Sequence, residues 1–226
     1  MIAEREAAPA ETIGESRLPP VLALLAFLVL NVGVRLWLPS AGAIRVVWLL
    51  PTLEGILLLV LLASDPVTLR RNRSWLRPAA LTIVSLLVVA ALWSTVLLIS
   101  DMIRGIGVAN NAGDLLASGG VVWLGNNLAF ALLYWLLDSG GPIARARNPF
   151  PVDFAFTQQM SPELAPPGWR PIFLDYLHLG FTNATAFSPT DVMPLTHRAK
   201  YAMLVQSTLA LALFGLIVAR AVNAFS

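Results

Sequence analysis

Cysteine is absent from the 226 residues, so no disulfide, thiolate nucleophile or cysteine-held metal can contribute. Charge is scarce: Asp, Glu, Lys and Arg make up 12% of the chain, roughly half of what a soluble domain carries. Lysine is nearly missing, since Lys200 is the one lysine among fifteen basic residues. The two histidines, His178 and His197, are nineteen positions apart and have no metal-ligand spacing. A net charge of +2, with no basic stripe interleaved with aromatics, excludes a nucleic-acid surface. The "GIG" ending at Gly107 follows no strand and lacks the third glycine of a nucleotide fingerprint. No serine occupies a nucleophile elbow. An Asp–His–Ser set drawn from Asp175, His178 and Ser188 is what chance supplies in any polar segment. These absences imply no catalytic residue, metal or cofactor, and an enzyme is not expected.

What is abundant is apolar: 57% of the chain, gathered into runs. A hydrocarbon layer about 30 Å thick needs about 20 helical residues, and several runs reach that length. The fold class is all-α, a single transmembrane helical domain over residues 19–226 with spans at 19–38, 43–63, 79–100, 120–137, 171–191 and 196–222. Pro19 and Pro20 suit a helix start, where a missing N–H costs nothing, and Thr196 suits an N-cap. Residues 1–18 set Glu4, Glu6, Glu11 and Glu15 against Arg5 and Arg17, too acidic for a signal leader, and read as a disordered cytoplasmic tail.

Orientation comes from arginine. Arg70, Arg71, Arg73 and Arg77 crowd the loop at 64–78, which places that loop and the N-terminus in the cytoplasm. Residues 138–170 carry six prolines with Arg145, Arg147 and Arg170. They read as a cytoplasmic loop along the membrane surface, with Phe150, Phe154 and Phe156 dipping into the headgroup layer. Trp37, Trp75, Trp123, Trp135 and Trp169 fall near span ends, as an aromatic belt requires.

The segment at 171–191 admits two structures. As a full span it makes six crossings and puts ten Arg/Lys inside against five outside. As a re-entrant segment it leaves five crossings, with eleven inside and four outside. Its length and the rarity of re-entrant backbone favour six. Asp175, His178 and Thr182 share one helical face. They read either as a polar track or as interface groups bonded to each other and to a neighbouring helix. Asn183 and Thr185 suit bonds across helices. "SPTDVMP", with Ser188 and Asp191, reads as a turn.

Other polar residues fall inside spans. Glu54 lies mid-span, where an ionised acid must pair, face the interior or take a proton. Arg45 is nine residues away, about 13 Å along a helix, too far for a simple pair. Asn126, Asn127 and His178 are the candidate partners. The site is either a proton or ion position or a hydrogen-bonded lock on packing. Gln206 and Ser207 suit interhelical bonds.

The stretch Asp175, Tyr176, Leu177, Phe181, Thr182, Thr190, Asp191, Arg198 and Asn223 resembles the C-terminal part of a bacterial multi-pass membrane-protein family labelled domain of unknown function 1345. The resemblance implies a bacterial inner-membrane location and supplies no activity. More distantly, the same stretch resembles a potassium-channel pore loop and inner helix, through the spacing of Asp191 and Pro194. The filter position holds Ala186, Phe187, Ser188, Pro189 and Thr190. With no glycine for positive φ, and Pro189 fixing φ negative, no potassium-selective carbonyl filter is expected. The arginine-derived orientation is also opposite to that of the channel.

The residues together imply a transporter- or channel-like membrane protein with a proton or ion pathway through Glu54, Asn126, Asn127, Asp175, His178 and Thr182. The alternative is a non-transporting subunit packing in a larger complex through Gly119, Gly120, Ala210, Ala212 and Gly215. The implied partners are the lipid bilayer and further membrane chains, as a homo-oligomer or a larger complex.

Overall fold

The computed structural model describes residues 15–16, 18–37, 49–63, 76–106, 112–147, 151–185 and 191–224. They form eight α-helices and one two-stranded ribbon. Helix α1 is Leu18–Trp37, α2 Leu49–Ala63, α3 Leu76–Arg104 and α4 Ala112–Leu137. A 3-10 turn at Asp138–Gly140 leads into α5, Pro142–Arg147. Strand β1, Phe154–Phe156, is followed by α6, Thr157–Met160, and α7, Phe173–Thr185. Strand β2, Val192–Pro194, precedes α8, His197–Ala224.

Prolines mark the helix starts as the sequence implies. Pro19 and Pro20, Pro51 and Pro78 all sit in first turns, where backbone N–H groups have no intrahelical acceptor to lose. Ser16 Oγ accepts the Leu18 N–H at 3.3 Å and starts α1. The turn after α4 reverses the chain through left-handed backbone at Ser139, φ 51°, then Gly140 and Gly141. Helices α3 and α4 are longer than their expected spans, and both extend into the expected loop at 101–119.

Among the described residues, three stretches are long and apolar enough to cross a membrane: Arg77–Arg104, Gly113–Gly140 and His197–Ala219. Shorter apolar helices run Leu18–Gly33 and Pro51–Val60. Neighbours alternate in direction. Asn31 meets Glu54 across α1 and α2, Thr95 meets Asn126 across α3 and α4, and Tyr134 meets Gln206 across α4 and α8. Helix α4 is the most enclosed of the long helices and α8 the most outward. The main core, including Leu24, Phe27, Leu57, Leu87 and Phe130, surrounds α4. A smaller cluster of Leu98, Met102, Leu115 and Leu213 closes the end of the bundle away from Asp138.

Helix α7 covers residues 173–185 of the segment expected as a span at 171–191. It starts beside the end of α4: the Phe173 ring meets Trp135 edge-on at 5.8 Å, and the Tyr176 hydroxyl donates to Asp138 at 2.6 Å. It then runs inward. Phe181 meets Trp123 at 4.9 Å, and Asn183 reaches the Met203 carbonyl at 3.0 Å. Helix α8 also starts at the Asp138 end, so α7 and α8 lie side by side in the same direction. The 13 described residues of α7 span roughly 20 Å. By Asp191 the chain is back where it began, with Asp191 Oδ2 at 3.2 Å from His178 Nε2 and the Asp191 carbonyl accepting the Thr157 N–H at 3.1 Å.

The ribbon adds two short strands to a mostly helical chain and corrects the expected placement of Phe154 and Phe156 in the headgroup layer. Phe154, Ala155 and Phe156 pair antiparallel with Pro194, Met193 and Val192. Phe154 and Phe156 point into protein, at 0% and 3% exposure, against Tyr134, Tyr176 and Trp169. An enclosed aromatic seat and a pairing strand outcompete the headgroup layer. Phe150 lies outside the described residues.

Candidate functional site

Where α4 ends, charged side chains form a closed polar cap. Asp138, fully buried, accepts the Asp153 N–H at 2.7 Å, the Phe154 N–H at 3.3 Å and the Tyr176 hydroxyl. Asp153, also buried, accepts Arg198 Nε and Nη2 at 2.6 and 2.7 Å, the Thr196 hydroxyl at 2.6 Å and the Ser139 N–H at 3.2 Å. Burial alone would raise the Asp153 carboxyl, but the Arg198, Thr196 and Ser139 donors outweigh it and hold the group below its ordinary value. Thr196 also accepts the Ala199 N–H at 3.4 Å, the N-cap its position implies.

Arg145 lies beside this pair. It donates to the Trp135 and Asp138 carbonyls at 3.3 and 3.1 Å and to Glu15 at 3.3 Å, and it sits 5.0 Å over the Tyr176 ring. Glu15 belongs to the stretch read as a disordered tail, yet it also accepts the Trp135 indole N–H and the Phe173 N–H. Trp135 is thus 3% exposed and hydrogen-bonded inside the protein rather than part of an outer belt.

A second polar group lies deeper. Gln206 accepts the Tyr134 hydroxyl at 2.7 Å and Asn183 Nδ2 at 2.8 Å, and donates to the Gly180 carbonyl at 2.9 Å and to Asn127 Oδ1 at 3.4 Å. Asn127 Nδ2 turns back to the Trp123 carbonyl at 2.9 Å. Helices α4, α7 and α8 therefore meet at one glutamine.

The remaining candidate residues fall elsewhere. Glu54, fully buried, accepts Asn31 Nδ2 at 3.1 Å. Asn126 donates to Thr95 Oγ1 at 2.6 Å. Asp175 accepts the Ile172 N–H at 2.7 Å and caps the start of α7. His178 is 61% exposed and faces Asp191. Thr182 bonds back to the His178 and Leu179 carbonyls, and Thr185 to that of Phe181. Ser188 lies outside the described residues. The structure thus joins Asn127 to Asn183 through Gln206, and His178 to Asp191. It gives Glu54 and Asn126 partners on α1 and α3.

Compared with protein-family models, curated protein sequences and solved structures, the chain matches none of them. The polar cap was not foreseen because its members lie far apart in sequence. The one local hint is that Asp138 and Asp153 flank the arginines of the proline-rich loop.

Proposed function

We propose that the chain is a channel- or transporter-like membrane protein of five crossing helices, α1, α2, α3, α4 and α8. Helix α7 is its re-entrant half-helix, and a proton or small cation passes along the outward face of α7. The carrying observation is that α7 and α8 start from the same end and that Asp191, after α7, lies beside His178 on it. Backbone that ends at membrane depth is tolerated only against protein or beside water. The C-terminal end of such a half-helix presents carbonyl oxygens and a partial negative charge, which favour a cation. His178 and Thr185 are exposed on this helix, with Thr182 and Asp191 half-buried beside them. Further copies of the chain cover this face and complete the path.

The arginine-rich end is cytoplasmic in this reading, which places eleven Arg/Lys inside and four outside. The N-terminus is then inside and the C-terminus outside, in a bacterial inner membrane. The family resemblance agrees with that location and adds no chemistry.

Reporter fusions after residue 226 test the topology, and an external reporter is the expected result. Cation flux into proteoliposomes tests the function. Asp191→Asn and Thr185→Val reduce flux, and Glu54→Gln leaves it unchanged. Absence of flux in the parent protein removes the proposal.

One observation favours the second reading, a non-transporting subunit: the outward side of α8 exposes Tyr201, Leu204, Leu211 and Phe214. A stoichiometric companion protein together with no flux supports that role.

A further inference from the structure

Glu15 contacts three helices at one point. Its carboxylate accepts the Trp135 indole N–H from α4 at 3.0 and 2.8 Å, Arg145 Nη2 from α5 at 3.3 Å, and the N–H of Phe173, the first residue of α7. The first N–H groups of a helix have no acceptor within it, and its dipole favours a negative charge there. Asp175 serves the Ile172 N–H, so the Phe173 N–H is served from outside, by a residue 158 positions away. We infer that Glu15 is a latch on α7. Glu15 in its seat holds the start of α7 against α4 and α5, and its withdrawal releases that start. The inference rests on α7 being the working half-helix of the proposed pathway, and it supplies the regulation of that site.

The seat is built of buried donors. Arg145 and Trp135 are each 3% exposed. The charged and titratable groups around Glu15 are Arg145 on α5, Tyr176 and Asp175 on α7, and Asp138 at the end of α4. Asp138 is engaged by Tyr176 and by the β1 backbone, and Asp175 by its own helix start. Neither replaces Glu15 as the carboxylate partner of Arg145.

Burial raises the Glu15 carboxyl above its ordinary 4.5, outweighing the Trp135, Arg145 and Phe173 donors. The seated state therefore holds a proton more firmly than the withdrawn state. Seating is favoured most below the ordinary value and weakens as pH rises through the raised one. Acid tightens the latch and alkali loosens it.

The absence of cysteine allows a direct test. Ser16→Cys and Leu174→Cys, both at exposed positions, carry spin labels on the full chain in lipid bilayers. The expected result is one narrow distance that broadens as pH rises. In Glu15→Ala the narrow peak is lost, and in Glu15→Gln it persists without pH dependence. An unchanged narrow distance in Glu15→Ala overturns the latch. Should Glu15→Ala fail to fold, Trp135→Phe removes one donor and keeps the aromatic packing. A broadened distance there supports the latch, and an unchanged one overturns it. The readout is a distance rather than flux, so loss of the pathway reading and loss of the latch are separate outcomes.

Discussion

Asp153 holds Arg198 through both carboxylate oxygens, at 2.6 and 2.7 Å, and so fixes the start of α8 against the turn that ends α4. The same carboxylate takes the Ser139 N–H and the Thr196 hydroxyl. Asp153→Ala leaves these donors without an acceptor. The Arg198 side chain is 56% exposed and can turn to water, which limits its share of the loss. The expected cost is about 2–3 kcal/mol, read as a lower melting temperature in detergent.

The pH dependence of this contribution has a definite sign. Asp153 titrates below its ordinary 3.8, so its stabilisation is complete above that value and is lost as pH falls through the lowered one. Asp153→Asn should flatten the acid limb of a melting-temperature profile. Glu15 works in the opposite sense, so the Asp153→Asn and Glu15→Gln profiles should diverge from the parent on opposite sides.

Gln206→Leu removes the group on which Tyr134, Asn183 and the Gly180 carbonyl converge. Hydrogen bonds inside membrane bundles contribute about 0.6 kcal/mol each on average. A total loss of about 1–2 kcal/mol is expected, concentrated in α7. Faster amide exchange across Phe173–Thr185, with α3 unaffected, checks it.

Two glycines should respond differently to alanine. A Cβ at Gly180 would stand 3.2 Å from the backbone carbonyl of Asn127, which cannot move without shifting α4. A Cβ at Gly119 would meet the tip of Ile217, at 2.5 Å, which can rotate away. Gly180→Ala should cost about 1–3 kcal/mol by overpacking, and Gly119→Ala less, in paired melting curves.

Glu54→Leu takes the acceptor from Asn31, itself 3% exposed. A loss of about 1–2 kcal/mol is expected, since a buried hydrogen bond is removed. Thermal denaturation of the purified protein checks it.

The helices that hydropathy located, 19–38 and 196–222 among them, correspond closely to Leu18–Trp37 and His197–Ala224, because a long apolar run has few alternatives to a helix. Thr196 was legible for the same local reason: an N-cap needs only its own neighbours. The course of α7 was not legible, because it depends on Asn183 finding Gln206 and on Asp191 returning to His178. Phe154 and Phe156 look alike in sequence whether they face lipid or protein. The strand that encloses them lies nearly forty residues downstream. Glu15 carried no signal, since its partners Trp135, Arg145 and Phe173 are assembled only by the finished bundle.

The ribbon joining Phe154–Phe156 to Val192–Pro194 bears on how the protein is made. Translation yields β1, α6 and α7 before the partners of Asp153 exist, since Thr196 and Arg198 follow it by 43 and 45 residues. A chain that ends before the last helix contains both strands of the ribbon but leaves a carboxylate awaiting its arginine. The buried Asp153 carboxylate thus gains its counter-charge only once the start of α8 is in place.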